Sequence, residues 1–222
     1  MRASGQAVEQ ILTFNHIFPS KSTQQEVCAY LNVSRETEEK LEIYVSLLKK
    51  WQQRINLISS KTLPCVWQRH ILDCAQLTNH LPVSSGRIMD IGSGAGLPGL
   101  ILAILTECEV HLVESDTKKV AFMQTVLAKV DVHATIHHAR IEELPFQNID
   151  IITARALAPL SKLIQLTQTQ DHPGLSYLFL KGKGVNEELT ELPTSSKLTA
   201  ISYPSITDQD SSIIYLKDKN IY

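Results

Sequence analysis

Ile88-Met89-Asp90-Ile91-Gly92-Ser93-Gly94-Ala95-Gly96-Leu97-Pro98-Gly99 is the segment on which the fold turns. An apolar run ends, glycines follow, and a second apolar run, Leu100 to Leu105, begins. Glycine lets the backbone turn sharply and lie close to a ligand. A helix that starts just after such a turn offers free N–H groups to an anionic group. Gly94, Gly96 and Gly99 fit the dinucleotide fingerprint, but glycine-rich turns also occur in unrelated loops, so the spacing alone does not choose a ligand.

Downstream of this segment short apolar runs alternate with helix-like stretches. The runs are Arg87–Ile91, Val110–Val113, Val132–Ile136, Ile149–Thr153 and Tyr177–Leu180. Helical stretches are expected at Gly96–Leu105, Thr117–Lys129 and Pro159–Thr167. Such alternation predicts a parallel sheet with both faces covered. Leu198–Tyr203 and Ser211–Leu216, separated by Pro204 and Asp208-Gln209-Asp210, read as a terminal β-hairpin. Five parallel strands closed by a hairpin are the pattern of a class I S-adenosylmethionine-dependent methyltransferase. A nicotinamide-binding domain would continue with another strand–helix unit.

Upstream, the character changes at Ser84-Ser85-Gly86. Leu41, Tyr44, Val45, Leu48, Trp51 and Ile55 recur at helical spacing. Ser34, followed by Glu36, Glu38 and Glu39, marks a capped helix start. A second helix is expected from about Val66 to His80, ahead of Pro82. The first thirty residues read as one or two shorter helices. The expected division is a helical extension and lid at 1–84 and a Rossmann-like domain at 85–222.

Composition narrows the classes. A chain of 222 residues with 43 % hydrophobic residues can bury a substantial core. Its net charge of −2 is not that of a protein held on nucleic acid by bulk charge. Any RNA must meet a local basic patch, and no DNA partner is expected. Cys28, Cys65, Cys74 and Cys108 lack metal-site or redox spacing, which predicts reduced thiols in the cytoplasm. Asn15 and His16 interrupt the N-terminal apolar residues, so no signal peptide is expected, and no apolar run is long enough for a bilayer. A monomer is expected.

Two acids bear on the ligand. Asp90, at the end of the first strand, would sit beside it and repel a pyrophosphate. S-adenosylmethionine has no phosphate and carries an ammonium and a sulfonium that a carboxylate favours. Glu114 ends the second strand, where it can accept from both ribose hydroxyls. The site expected from these residues holds S-adenosylmethionine on Asp90, Gly92, Gly94, Gly96 and Glu114.

The acceptor is narrowed by what is missing. The fourth strand leads into Thr153-Ala154-Arg155-Ala156-Leu157, without the prolines and aromatic residue that accompany methylation of exocyclic base amines. The one Pro-Cys pair, Pro64-Cys65, precedes the glycine segment, so a cysteine nucleophile is not expected. His133, His137 and His138 cluster without an acidic ligand at usable spacing, so no metal is expected.

Asn56-Leu57-Ile58-Ser59, Arg69-His70-Ile71-Leu72-Asp73, the glycine segment and Arg155-Ala156-Leu157-Ala158 occur in this order. Together they resemble the RsmG family, also called GidB, over about residues 36 to 217. The resemblance implies an enzyme that methylates nitrogen 7 of a guanine in the 530 loop of bacterial 16S ribosomal RNA. It implies a cofactor site lined by Gly92, Leu97, Ile141, Glu142 and Arg155. It also draws attention to Asn56, Arg69, His70 and Asp73 as substrate-positioning residues in a polar lid, with Arg69, His70 and Asp73 on one helical face. No general base is expected, because nitrogen 7 already carries a free lone pair. Among the lysines, Lys118, Lys119 and Lys181 follow strand ends and are the expected RNA contacts. Two alternatives remain open: a methyltransferase with a small-molecule or protein acceptor, and an S-adenosylmethionine-binding regulator without chemistry.

Overall fold

The computed structural model describes residues 18–19, 21–82, 86–144, 148–167, 174–192 and 197–219. Five parallel strands form its centre: β1 (Arg87–Ile91), β2 (Glu109–Glu114), β3 (Ala134–His138), β4 (Ile151–Arg155) and β5 (Ser176–Lys181). The hairpin of β6 (Leu198–Pro204) and β7 (Ser212–Asp218) adds antiparallel to β5. The strand order is β3-β2-β1-β4-β5-β7-β6. It reverses between β1 and β4, and open α/β sheets bind ligands at the carboxyl ends of the strands beside such a switch point. The register aligns Asp90 with Thr153, so the glycine turn after β1 and Arg155 at the end of β4 lie side by side.

Side-chain alternation divides the core between the two faces of the sheet. Ile88, Val110 and Leu112 point to one face, where they pack with α1 (Gln24–Leu31), α2 (Arg35–Gln52), α3 (Gly99–Leu105) and α4 (Thr117–Val130). Met89, Ile91 and Val113 point to the other, covered by α5 (Leu160–Leu166) and α6 (Val185–Thr190). Local chemistry sets the helix starts. Thr23 and Glu26 form a reciprocal cap on α1, Ser34 Oγ accepts from Thr37 N on α2, and Asp116 accepts from Lys118 N and Lys119 N on α4.

The described part of the helical extension shares its core with the sheet. Leu41, Tyr44, Leu48, Ile71 and Leu72 belong to the same buried cluster as Ile88, Leu100 and Phe122. The expected boundary at 84/85 and the reading of residues 1–17 as helix lie outside the described residues. The stretch expected as one helix from Val66 to His80 is helical but winds in three ways: π over Trp67–Leu72, α over Asp73–Ala75 and 3-10 over Gln76–His80. Short π segments are rare and are frequently found at functional sites. α6 was absent from the sequence reading. Among the described residues no helix is long and apolar enough to cross a membrane.

Candidate active site

A cleft of about 450 Å³ opens at the carboxyl ends of the strands. Gly92 from the β1 turn, Glu114 from β2, Ile141 and Glu142 after β3, Arg155 at the end of β4 and Leu157 just after it line the cleft. The expected residues from four strands therefore converge. Lys119, Arg140 and Lys162 also line this cleft. Of these, Arg140 and Lys162 were missed in the sequence, where a single cation in a loop or on a short helix carries no distinguishing pattern.

Gly92 adopts φ +65°, and a Cβ there would lie 2.6 Å from Leu157 Cδ1. The position therefore excludes a side chain for both conformational and steric reasons. Gly94 and Gly96 shape the turn but do not line the cleft. Glu114 is buried and already holds the turn: Oε2 accepts from Gly94 N at 2.9 Å, and Oε1 accepts from Ser115 N and Asp116 N, each at 2.8 Å. An ionised carboxylate has about four acceptor sites. Three are used, which leaves room for one ribose hydroxyl rather than the expected pair.

Several expectations are corrected. Asp90 is 0 % exposed and does not reach the cleft. It shares the parity of Ile88, so its side chain points under the start of α3. There it accepts from Gly99 N and from Thr153 Oγ1, each at 3.1 Å. Burial pushes its carboxyl up to about 7. Asp90 thus builds the turn and does not act as a counter-charge. Leu97 is likewise in the core beneath the turn. Asn56 is exposed outside the cleft, with Oδ1 3.5 Å from Gln52 Nε2. Lys181 is mostly buried: its ammonium pairs with Glu188 at 2.7 Å and donates to Ala158 O at 2.9 Å, so it is not presented to RNA.

Arg155 joins the sheet to the π-helix. Its Nε meets Asp73 Oδ2 at 3.2 Å, and one terminal nitrogen donates to His70 Nδ1 at 3.0 Å. The other donates to Arg69 O at 2.7 Å. Much of the guanidinium is thus committed to the protein, whereas the sequence placed it on the ligand. An internal Arg69–Asp73 pair does not form. In the π segment backbone bonds run i→i+5, which breaks the four-residue stacking of an α-helix. Arg69 pairs instead with Asp208 in the β6–β7 connection. Asp73 Oδ1 accepts from Thr207 Oγ1 at 2.6 Å in the same connection.

His70 has a fixed tautomer. Arg155 can only donate, so His70 Nδ1 is the acceptor and Nε2 carries the proton. That proton goes to Thr62 Oγ1 at 2.8 Å, and Thr62 donates onward to Ser59 O at 2.8 Å. Burial first, then Arg155 and Arg69, push its pKa down to about 3. Tyr44 on α2 donates to Ala95 O at 2.9 Å and so fixes the glycine turn from the helical side. Among the described residues no group of three His, Cys, Asp or Glu side chains could hold a metal ion.

Comparison with known proteins adds the family. The model of rRNA small subunit methyltransferase G, GidB, matches residues 37–214. The chain belongs to the GidB family. Ribosomal RNA small subunit methyltransferase G of Paramagnetospirillum magneticum is 42 % identical over 194 residues, covering 87 % of this GidB-family chain and 95 % of the relative. The protein of the same name from Rhodospirillum rubrum is 42 % identical over 192 residues, covering 86 % and 96 %. Among solved structures, a ribosomal protein L11 methylase from Lactobacillus delbrueckii subsp. bulgaricus superposes with a TM-score of 0.58 at 12 % identity, over 68 % of this chain and 79 % of that one. M. capricolum TrmK, in complex with S-adenosyl-homocysteine, superposes with a TM-score of 0.52 at 15 % identity, over 75 % and 71 %. At these identities the structural likeness speaks for the class I methyltransferase fold alone.

Proposed function

We propose that this GidB-family chain transfers the methyl group of S-adenosylmethionine to nitrogen 7 of a guanine in the 530 loop of small-subunit ribosomal RNA. The observation that carries the reading is the convergence of Gly92, Glu114, Ile141, Glu142 and Arg155 on one strand-end cleft in a chain of this family. The cleft suits the cofactor chemically. A turn that a Cβ would block lies beside a pinned carboxylate able to take a ribose hydroxyl, and Ile141 and Glu142 are available to the adenine edge.

When bound, S-adenosylmethionine supplies a methyl already activated by its sulfonium. The protein must then align donor and acceptor, and alignment alone can remove much of a barrier. Guanine nitrogen 7 attacks with its own lone pair, so no residue has to take a proton first. The locked, neutral His70 accords with that: its one lone pair is engaged by Arg155. Asn56, Arg69, His70 and Asp73 are assigned indirect roles, with Arg69, His70 and Asp73 holding Arg155 in place. Lys118 and Lys119, at the start of α4, are assigned to RNA phosphates. The target guanine must lie in a loop or be splayed out, because the deep groove of A-form RNA hides nitrogen 7. The chain works as a monomer in the cytoplasm on this reading. On the same reading its two segments, 1–84 and 85–222, act as helical support and catalytic domain.

The test uses small subunits from cells lacking the protein, together with methyl-labelled cofactor. Label should enter 16S RNA, and reduction followed by aniline should cleave the chain at one guanine in the 530 loop. Label in ribosomal protein, or none in RNA, would overturn the proposal.

A further inference from the structure

Four non-glycine residues among those described have positive φ: Asn32, Asp131, Asn148 and Ala156. The first three are of the types that tolerate the left-handed region; Asn32 and Asp131 close helices there. Ala156, at φ +52°, has no polar side chain to compensate. Such strain persists only where surrounding structure imposes it, and it concentrates at functional sites.

Both ends of this loop are held. On one side Arg155 is fixed by Asp73, His70 and Arg69 O. On the other, Lys181 donates to Ala158 O and Glu188 accepts from Leu160 N, with Lys181 and Glu188 paired to each other. The strained residue between these anchors directs Leu157 across Gly92. Leu157 is 42 % exposed, one of the few large apolar side chains open to solvent among the described residues, and it lies in the cleft.

We infer that Leu157 is the apolar seat for the acceptor base, one face of the guanine ring resting on it beside the glycine turn. The inference rests on the proposed function. The ends of β1, β2 and β3 carry the groups suited to the cofactor, so the β4 side is left for the acceptor. Bases taken out of a stack are commonly held between apolar or aromatic side chains. A flat ring on Leu157 would cover its exposed surface and bring nitrogen 7 toward the Gly92 turn. The strain at Ala156 is then the means by which the seat is held in place before RNA arrives.

Undermethylated small subunits and the product S-adenosylhomocysteine are the probes. Leu157→Ala should raise KM for the subunit roughly tenfold or more, the scale on which base stacking is lost on truncation. Its affinity for S-adenosylhomocysteine by calorimetry should fall by a clearly smaller factor, because Leu157 touches the Gly92 turn but its exposed surface is placed on the acceptor side. Leu157→Phe should keep the parental KM, since an aromatic face serves the same purpose. Ala156→Gly removes a single methyl group and frees the backbone, so it too should raise KM for the subunit by a larger factor than it weakens product binding. It keeps the inference testable should Leu157→Ala fold poorly. Unchanged KM in both Leu157→Ala and Ala156→Gly, or a loss of product affinity as large as the loss for RNA, would overturn the inference. Absence of transfer by the parent protein would overturn the functional reading itself, a result distinct from normal transfer with an indifferent Leu157.

Discussion

His70 and Asp90 are both buried and neutral-leaning, yet they respond to acid in opposite directions. The folded chain holds His70 at about 3 against an ordinary value of 6.5. Between those values the unfolded chain binds a proton that the folded chain does not, so this contribution to stability is lost as pH falls below about 6.5. Asp90 is held at about 7 against an ordinary 3.8. In that window the folded chain keeps a proton that the unfolded chain has released, so its contribution is lost as pH rises toward 7. Each slope is at most ~1.4 kcal/mol per pH unit, and the two offset each other where the windows overlap. Urea unfolding between pH 4.5 and 6 separates them. The stability of His70→Gln relative to the parent should fall as pH rises, and that of Asp90→Asn should rise. Parallel curves would show that the burial of these groups is misread. Activity is a separate matter. With the His70 lone pair committed to Arg155, the single-turnover rate at saturating subunit and cofactor should be flat from about pH 6 to 9. A tenfold rise per pH unit that disappears in His70→Gln would instead identify a general base.

At the scale of elements, the π-helix is fastened to the sheet by one buried ion pair and to the hairpin by a more open one. Asp73 and Arg155 are 14 % and 19 % exposed, whereas Arg69 and Asp208 are 37 % and 27 % exposed. Removing one partner of a buried pair leaves a stranded charge and costs about 3–5 kcal/mol, whereas an exposed pair contributes about 0–1. Asp73→Ala should therefore lower the urea midpoint several times more than Arg69→Ala does; equal effects would contradict the assignment of Asp73 as the anchor. Sequence alone could not supply this contrast. The strands and most helices were legible because their periodicities are local, and the cap at Ser34 was legible for the same reason. The glycine turn identified the cleft because its backbone needs are written in residue type. Asp73 and Arg155 stood out only by resemblance, and helical spacing placed Arg69, His70 and Asp73 on one face without naming their partners. Besides the Asp73–Arg155 pair itself, the partners are Thr207 for Asp73 and Asp208 for Arg69, each more than a hundred residues away in sequence. Asp90 was misplaced for a simpler reason. Period-two alternation from Ile88 turns its side chain onto the sheet face packed by α3, away from the strand-end cleft that a cationic ligand would enter.

Over the whole molecule, the charge balance decides how RNA is met. A net charge of −2 gives no long-range attraction for a polyanion, so cations must be gathered locally. Most of them lie on one side. Lys118 is exposed at the start of α4, and Lys119 and Arg140 border the cleft after β2 and β3, whereas Lys162 borders it from α5 and Lys181 at the end of β5 is neutralised by Glu188. The RNA backbone should accordingly cross the β2–β3 side of the cleft and leave the β5 side uncovered. Each phosphate neutralised steepens the logarithmic salt dependence of binding by roughly 0.7 to 0.9. Three or four contacts therefore give a slope of about −2 to −4, well short of that of a strongly basic binder. Fluorescence anisotropy on a labelled 530-loop fragment, across a salt series, reads this slope directly. Lys118→Glu with Lys119→Glu should flatten it and weaken binding, whereas Lys181→Ala should leave it unchanged, because that ammonium braces the Ala158 backbone. If Lys181→Ala flattened the slope as the Lys118 and Lys119 changes do, the RNA would lie on the other side of the cleft, and the ion pair with Glu188 would have to open to receive it.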